Sequence, residues 1–417
     1  EAFGATSART LLAEFGILQQ TLLTRACQRI EAGECEIVLV TGGEAKYRAL
    51  CAQKAGAEAS ETRQEDASPD TTLRPEDEMW SPVESASGLG MPVGYYAILD
   101  SALRYKQGLT LDEHRDQMAN MYARLSELAV DNPDAWADEA VPAEHIREHS
   151  AANRMLAFPY TKLHNSQWNI DQAAGLILCS VGVAQSLGIE RSKWIFPRAF
   201  AESNFMSVVA SRKDLGASPG FRIAGQAAMD MAGISFDELR LCELYSCFPY
   251  AVRVQLQEFG MSPQHNVSVT GGMTFGGGPL NNFVFQATVK MAQLLRQNPG
   301  EAGLVTAVSG MLTKQACAVW SATPGTEGWA CADVTERVRE QSGECELVAQ
   351  YTGPASVAGY TVLYQGMDPW RAVAVFDLPD GRRTVAYSEE PQLMQHMMAQ
   401  ECCGETYQVA DGNFSVA

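Results

Sequence analysis

Residues 268–282, SVTGGMTFGGGPLNN, decide how this chain is interpreted. They hold five glycines and one proline, between the apolar run 267–269 and a segment with helical apolar spacing that starts near Val284. Glycines between a strand and a helix let the backbone approach a ligand, and a helix N-terminus presents free N–H groups to negative charge. The stretch therefore predicts a strand, a binding loop and a helix. The loop has no His, Cys, Asp, Glu or Lys with which to move a proton.

The composition indicates a chain that folds around a large core. It has 417 residues, of which 46% are hydrophobic, and a formal net charge of −19. This acidic balance argues against a nucleic-acid partner, because phosphate binding needs a basic face. No run of about 18 apolar residues occurs, so no membrane span is expected. Residues 1–16 lack the basic start and the apolar centre of a signal peptide, and a cytoplasmic location is the expectation.

Eleven cysteines are spread along the chain without the spacing of a metal site. Cys402 and Cys403 are adjacent, and no C-x-x-C pair occurs. Without a secretion signal, such cysteines indicate reduced thiols in a cytoplasm. Because histidines and cysteines do not cluster in the sequence, we expect no zinc site and no metal ligands.

Helical and strand patterns alternate along most of the chain, which predicts an α/β layered fold. Residues 18–32 have helical apolar spacing, and residues 36–41 (EIVLVT) resemble a buried strand that ends at a glycine pair. Residues 92–154 are expected to be largely helical, with Thr110 and Glu113 as a capping box inside them. Further strands are expected at residues 194–196, 239–245 and 303–308.

Strand patterns replace this alternation in the last part of the chain. Residues 371–378 and 382–387 alternate apolar and polar side chains, and the Pro-Asp-Gly sequence between them is a hairpin signal. We therefore expect a small, mostly β domain at the C terminus. Arg371, Arg382 and Arg383 are candidates for docking a partner or a phosphate, with a solvated hairpin as the simpler interpretation.

Motifs spread over most of the chain resemble those of the thiolase superfamily. Residues 26–44 (ACQRIEAGECEIVLVTGGE) are similar to the helix–strand unit that follows the thiolase nucleophile. Residues 243–248 (ELYSCF) stand where thiolases have N-E-A-F or H-D-C-F. Residues 270–280 stand where they have N-G-G and G-H-P, and residues 303–310 where they have the last C-x-G. The segments that resemble the bacterial thiolase-like protein type 1 group, which is related to sterol-carrier thiolases, are residues 132–136, 153–174 and 379–383.

The resemblance implies a duplicated, layered fold with a pocket for a coenzyme A thioester. The two similar halves, each with a five-stranded mixed sheet, would form an α-β-α-β-α layered fold, with a helical loop domain inserted in the first half and a small OB-like β domain at the end. No cofactor is implied, and coenzyme A or an acyl-CoA is the expected ligand. The implied divisions are 1–91 and 166–186 for the first half, 92–165 for the loop domain, 187–342 for the second half and 343–417 for the β domain.

The chain starts almost at the nucleophile loop, whereas thiolases have a β–α–β segment before it. That segment includes a strand that would be central in the first sheet, and an intact protein would hardly leave its neighbours unpaired. We therefore expect either a further N-terminal segment or another chain that supplies the strand. The expected partners are accordingly a second copy, as in the usual thiolase dimer, or a protein that provides this segment.

All four catalytic positions of a thiolase are substituted in this chain. Thiolase chemistry needs a cysteine thiolate to carry the acyl group, an acid/base group and donors for two developing oxyanions. Gly16 stands at the nucleophile position and cannot be acylated. The other replacements are Tyr245 and Ser246 for the Asn-Glu or His-Asp pair, Gly278 for the histidine of G-H-P, and Val308 or Ser309 for the last cysteine.

Three residues are catalytic candidates, each with a structural alternative. Tyr245 is a possible proton or oxyanion donor, although a pKa of about 10 makes it a poor base, and the alternative is a buried strand-end tyrosine. His164 lies in a segment that lines the acyl pocket in related folds. Ser309 would need a base that the sequence does not place beside it. The expected ligand-binding residues belong to the glycine loop: Gly271, Gly272, Gly276, Gly277, Gly278 and Pro279.

The sequence leaves three functions open. The first is a thiolase-like member of the acetyl-CoA acetyltransferase family, within lipid metabolism, that binds a CoA thioester without thiolase activity. The second is an enzyme of changed chemistry, since some thiolase relatives without the cysteine are implicated in retro-aldol cleavage of acyl-CoA side chains. In that case Tyr245 would assist and the C-terminal domain would replace a partner domain. The third is a non-catalytic subunit of a complex.

Overall fold

Helices and strands alternate over most of the computed structural model, which describes residues 4–5, 7–60, 68–280, 282–326 and 328–416. The helices are α1 (Gln19–Glu31), α2 (Lys46–Lys54), α3 (Pro82–Ala86), α4 (Pro92–Lys106), α5 (Leu111–Val130), α6 (Ala143–Arg147), α7 (Val181–Ser186), α8 (Pro219–Ala232), α9 (Pro249–Phe259), α10 (Phe283–Gln297), α11 (Thr335–Ser342) and α12 (Pro391–Ala399). The strands are β1 (Leu11–Ala13), β2 (Ile37–Ala45), β3 (Thr71–Leu73), β4 (Met155–Ala157), β5 (Tyr160–Thr161), β6 (Asp171–Cys179), β7 (Phe196–Ser203), β8 (Leu241–Glu243), β9 (Ala302–Ser309), β10 (Lys314–Ser321), β11 (Ala330–Asp333), β12 (Thr352–Gln365), β13 (Asp368–Asp377), β14 (Arg383–Ser388), β15 (Thr406–Ala410) and β16 (Asn413–Val416).

A five-stranded mixed sheet forms the centre of the second half. Its strand order is β11-β7-β10-β9-β8, with antiparallel pairs in the middle and a parallel pair at each edge. Every residue of β10 is buried, because α8 and α10 pack against the sheet. Consecutive buried positions are expected of a strand that is covered on both faces. The sheet is therefore a rigid base for the turn that follows β9.

The first half contains two separate strand pairs instead of the five-stranded sheet that the resemblance implied. β1 pairs in parallel with β3, and β2 pairs antiparallel with β6. Across the described residues the two pairs do not join. On the second pair, Leu39 is 49% exposed and Ile177 is 73% exposed. The described residues therefore do not complete the expected first sheet.

The C-terminal strands form a small closed barrel. Strands β12, β13, β14, β16 and β15 follow one another around it, and β15 pairs back with β12. β13 and β14 are the hairpin that the Pro-Asp-Gly sequence predicted. From the region expected to be helical, β4 and β5 extend the sheet beyond β12, and α4 packs against β12. The barrel is thus joined to the segment before residue 165 by strand pairing and by helix packing.

Three expectations about strands need correction. Residues 267–269 do not join a sheet, because the carboxylate of Glu243 accepts the backbone N–H groups of residues 269 and 270. The strand expected at residues 239–245 shortens to β8, and the one expected at residues 194–196 is β7, which starts at the last residue of that range. Backbone donors that are satisfied by a side chain are not free to pair with a strand.

Two apolar clusters stabilise these elements. The larger one includes the five-stranded sheet and the helices around it, and the smaller one fills the C-terminal barrel. Among the helices of the described residues, none combines the length and the apolar character needed to cross a bilayer.

Candidate functional site

The four positions to which the resemblance assigns the catalytic residues of a thiolase line one cavity. Its volume is about 1020 Å³, and its wall includes Gly16, Tyr245, Gly278, Val308 and Ser309. They come from the turn before α1, the loop after β8, the glycine loop and the end of β9. Positions that are far apart along the chain are therefore one site in space.

At Gly16 the structure leaves no room for a side chain. The residue has a φ of +99°, and a Cβ added there would lie 2.9 Å from Cγ of Pro75 and 3.8 Å from the terminal carbon of Met79. Its carbonyl accepts a hydrogen bond from Nζ of Lys314 at 3.3 Å. Burial lowers the pKa of this lysine. The backbone conformation and the neighbouring proline together oppose a cysteine at the nucleophile position.

The space for a histidine at Gly278 is also occupied. A Cβ added there would lie 2.9 Å from Cβ of Ser166 and 3.1 Å from the carbonyl oxygen of Met273. The N–H of Gly278 donates to the carbonyl of Gln167 at 2.9 Å, so the chain around residue 167 lies directly on the loop. An imidazole at this position would need that segment to move.

The glycine loop is held by buried side chains. The hydroxyl of Ser268 accepts the N–H groups of Thr270, Gly271 and Gly272 at distances of 3.1, 3.0 and 2.9 Å. It donates in turn to the carboxylate of Glu243, whose pKa is raised to about 7 by burial. Gly271 has a φ of +94° and passes so close to α5 that a Cβ would lie 2.5 Å from the helix. Only glycine fits this approach.

The loop is therefore less open to a ligand than the sequence predicted. The N–H groups of residues 270–272 and of Gly278 are already bonded within the protein, so they are not a free anion cradle. Of the six expected ligand-binding residues, Gly278 lies on the cavity wall. The other five are behind the wall: Gly271, Gly272, Gly276, Gly277 and Pro279.

Tyr245 lies on the cavity wall, where its phenol is a neutral hydrogen-bond donor. Its backbone is fixed, because its N–H donates to the Thr306 hydroxyl at 2.7 Å and its carbonyl accepts from Gln255 at 3.0 Å. Its ring packs edge-on against Phe283, and its hydroxyl has no hydrogen-bond partner among the described residues. Burial raises the pKa of Tyr245 further above its ordinary value. The phenol therefore stays protonated, and it can donate to a ligand oxygen but cannot act as a base.

Tyr96 is a wall residue that the sequence analysis missed. It stands in α4, its ring stacks on Phe248 at 4.4 Å between centroids, and it lines the cavity as Cys247 does. Burial raises the pKa of Cys247 to about 12, and it raises that of Tyr96 well above its ordinary value. Both groups are thus neutral at physiological pH. In the sequence, the only indication of this role was the aromatic pair Tyr95-Tyr96 inside a helical pattern. Such a pair is also typical of a hydrophobic core.

Basic and aromatic side chains surround the cavity where it opens to solvent. Arg154 and Lys162 are exposed on its wall, beside Trp168 and Trp370, which are 45% and 39% exposed. Among the described residues of the wall, none is a histidine, an aspartate or a glutamate. In a chain with a net charge of −19 this is a local positive surface next to apolar groups. Such a surface suits a ligand with an anionic head and an apolar tail.

His164 does not lie on the cavity wall. It is 1% exposed, its Nδ1 accepts the N–H of Thr161 at 3.2 Å, and its ring packs near Tyr122 and Tyr160. Burial lowers the pKa of His164 to about 3, so the ring is neutral. The segment around His164 does line the cavity as expected, but the residues that do so are its sequence neighbours, among them Leu163 and Asn165. Ser309, in contrast, is on the wall, and no base stands beside it there.

Acid should destabilise the protein through its buried histidines, His164 and His114. Burial lowers the pKa of His114 to about 4, whereas an unfolded histidine titrates at about 6.5. As the pH falls below that value, the unfolded chain binds protons that the folded protein excludes, and the free energy of unfolding decreases. The decrease between about pH 7 and 5 should be roughly 2 kcal/mol per histidine, measured by urea unfolding.

A matched pair of variants tests this pH dependence. His164→Gln should remove about half of it, whereas His145→Gln, at an exposed position, should leave it unchanged. An equal slope in the wild type and in His164→Gln would show that this histidine already accepts a proton in the folded state.

The C-terminal arginines are engaged within the fold. Arg383 is 4% exposed, pairs with Asp377 at 2.5 Å and donates to the backbone carbonyls of residues 210, 212 and 213. Arg383 therefore connects the barrel to the second half of the fold. Because its side chain is buried and bonded, it neither docks a partner nor belongs to a solvated hairpin, and both interpretations are wrong for this residue. Arg371 pairs with Glu389, and Arg382 pairs with Asp380 on the surface. The barrel instead contributes Leu363, Tyr364 and Trp370 to the cavity wall.

Comparisons with known proteins find similar folds among solved structures. No protein-family model and no curated protein matches the sequence. Among solved structures, a monomeric SCP2-thiolase-like protein type 1 from Mycobacterium smegmatis has a TM-score of 0.80 and 25% identity, over 95% of this chain and 81% of that one. The Ltp2-ChsH2(DUF35) aldolase has a TM-score of 0.52 and 16% identity, over 71% and 75%. The dimeric peroxisomal thiolase of Saccharomyces cerevisiae has a TM-score of 0.48 and 16% identity, over 72% and 73%.

Proposed function

Because the chain belongs to the thiolase superfamily, we propose that it binds a coenzyme A thioester, or a similar anionic acyl ligand, without making or breaking carbon–carbon bonds as thiolases do. One observation carries the proposal. The cavity is lined by the positions that the resemblance assigns to thiolase catalysis, yet a Cβ added at Gly16 or at Gly278 would lie 2.9 Å from a neighbouring side chain. The binding site is thus retained where the catalytic groups are lost.

The chemistry of the wall favours an acyl thioester as the ligand. The volume of about 1020 Å³ is large enough for an acyl chain and part of its carrier. Arg154 and Lys162 suit a phosphate group at the opening. Tyr245 suits the thioester carbonyl, because a protonated phenol donates to an oxygen. The exposed tryptophans provide faces for a planar base.

Reversing the positive charge at the opening should weaken binding. We expect Arg154→Glu combined with Lys162→Glu to lower the affinity for acyl-CoA about tenfold or more at low salt, since two attractive charges become repulsive. Calorimetry with coenzyme A and a series of acyl-CoAs measures the effect, and the tryptophans of the wall allow a fluorescence readout. Arg240→Glu is the matched control, because Arg240 is 81% exposed and does not line the cavity.

Two results would contradict the proposal. The first is the absence of binding to every coenzyme A compound in the wild-type protein. The second is cleavage or synthesis of acetoacetyl-CoA at ordinary thiolase rates, because the four substituted positions should not support it.

A second candidate function is retro-aldol cleavage of an acyl-CoA side chain, and it is favoured by Tyr245 on the cavity wall, whose hydroxyl has no hydrogen-bond partner within the described part of the chain. Such a step removes a proton from the β-hydroxyl, breaks the Cα–Cβ bond and protonates the enolate. The phenols of Tyr245 and Tyr96 supply donors, but the described wall contains no carboxylate or imidazole as the base. Product analysis with β-hydroxyacyl-CoAs tests it. Tyr245→Phe should then abolish cleavage while binding persists, and cleavage that survives the substitution would remove this role.

A further inference from the structure

Outside the cavity, the C-terminal barrel brings three metal-ligating side chains together. A ring nitrogen of His396, the sulfur of Cys402 and a carboxylate oxygen of Glu405 all lie within 4.8 Å of one another. We propose that these three side chains bind a divalent transition metal ion, with zinc as the best fit, and that water takes the fourth position.

The fold fixes where these three groups stand. His396 is in the last turn of α12, and Glu405 directly precedes β15. The N–H of Glu405 donates to the carbonyl of Cys402 at 3.1 Å, which closes the turn between the two elements. Cys402 is fully buried, whereas the side chains of His396 and Glu405 are 46% and 47% exposed. The sulfur is therefore held in place, and the other two ligands can turn toward an ion that arrives from solvent.

The ligand set and its spacing suit zinc. Nitrogen, sulfur and carboxylate oxygen are its usual protein ligands, whereas calcium and magnesium prefer oxygen alone. In a tetrahedral site with bonds of about 2.0–2.3 Å, ligand atoms stand roughly 3.3–3.8 Å apart. Nε2 of His396 and Oε2 of Glu405 are already 3.8 Å apart. Binding would need only side-chain rotation, together with release of the Cys402 thiol proton to solvent as the sulfur–metal bond forms.

A neighbouring tyrosine supports the arrangement. The hydroxyl of Tyr407 donates to Oε2 of Glu405 at 3.0 Å. Outer groups that orient ligands in this way are usual in metal sites. The bound ion would connect the end of α12 to β15 and so stabilise the barrel. This cluster could not be predicted from the sequence, because the spacing from His396 to Cys402 and Glu405 matches no common zinc motif.

Cobalt(II) titration of the full chain tests the proposal, after chelator treatment and with a phosphine reductant that keeps thiols reduced. We expect one equivalent to bind with a near-ultraviolet thiolate-to-cobalt band, and zinc to displace it. Cys402→Ser should abolish the band, and His396→Gln should weaken binding about tenfold or more. Cys403→Ser is the matched control, since this adjacent buried cysteine points to Ser101 at 3.9 Å, and its band should be unchanged.

Three results would contradict the metal site. No cobalt band in the wild type, or a band of equal strength in Cys402→Ser, would overturn the proposal. His396→Gln covers the case in which Cys402→Ser fails to fold, because its side chain is about half exposed. If zinc raises the melting temperature of the wild type and of His396→Gln equally, the ion binds elsewhere and the cluster is only a surface ion pair.

Discussion

Replacing Asp100 by alanine should lower the free energy of unfolding by about 3–5 kcal/mol. Asp100 is fully buried in α4, pairs with Arg253, accepts the hydroxyl of Tyr160 at 2.6 Å and lies 3.1 Å from Nε2 of His114. Burial alone would raise the pKa of this carboxyl, but the guanidinium of Arg253 holds it well below its usual range. The substitution leaves a buried arginine without a counterion. Urea unfolding and the melting temperature measure the loss.

An exposed ion pair serves as a control that distinguishes the effect of burial from the effect of charge pairing on stability. Lys106 and Asp214 are 2.7 Å apart, but their side chains are 47% and 51% exposed. Lys106→Ala should therefore cost no more than about 1 kcal/mol. The combination of Asp100→Leu with Arg253→Met should recover most of the loss, because an apolar pair leaves no charge unpaired. Equal costs for Asp100→Ala and Lys106→Ala would mean that the buried network contributes nothing to stability.

The same network also supports one wall of the cavity. The oxygen of Tyr160 accepts the N–H of Tyr250 at 3.1 Å at the start of α9. The ring of Tyr160 lies nearly parallel to that of Phe248, a wall residue, at 6.2 Å between centroids. Asp100 thus helps to position the cavity wall indirectly, through its hydrogen bond with Tyr160. We infer that the buried charges fix the position of the wall and do not take part in chemistry.

Local signals in the sequence were sufficient for many elements of the fold. The helical region from residue 92 begins with α4, the Thr110–Glu113 capping box starts α5, and the helix after the glycine loop is α10. These signals are reliable because periodicity and caps depend on residues within a turn of each other. The resemblance assigned four positions to thiolase catalysis, and residues at all four of them line the same cavity.

Long-range contacts explain what the sequence could not predict. The loss of side-chain space at Gly16 depends on Pro75, and that at Gly278 depends on Ser166. The glycine loop looked like a free cradle because the sequence does not show that Ser268 and Glu243 bind its amides. No local pattern reports which distant residue fills a space or accepts a bond, so only the folded chain reveals it.

Gly16→Cys should destabilise the protein by about 2–4 kcal/mol and create no thiolase activity. About half of the loss comes from the positive φ of +99°, which L side chains rarely adopt. The rest comes from the contact of 2.9 Å between the added Cβ and Pro75, which must be relieved by a shift. Urea unfolding and an acetoacetyl-CoA cleavage assay measure the two effects on the same preparation.

Gly33→Cys separates the two causes, because Gly33 has a φ of +69° but nothing lies within 4 Å of its added Cβ. It should cost about 1–2 kcal/mol, from strain alone. Adding Gly278→His to Gly16→Cys supplies two of the four missing catalytic groups, the nucleophile and the histidine, yet Ser166 and Pro75 still occupy their space. If the double variant were stable and cleaved acetoacetyl-CoA, then the substitutions at these positions would be the only barrier to catalysis. Continued inactivity with retained acyl-CoA binding would mean that the surroundings have also closed around a site that only binds.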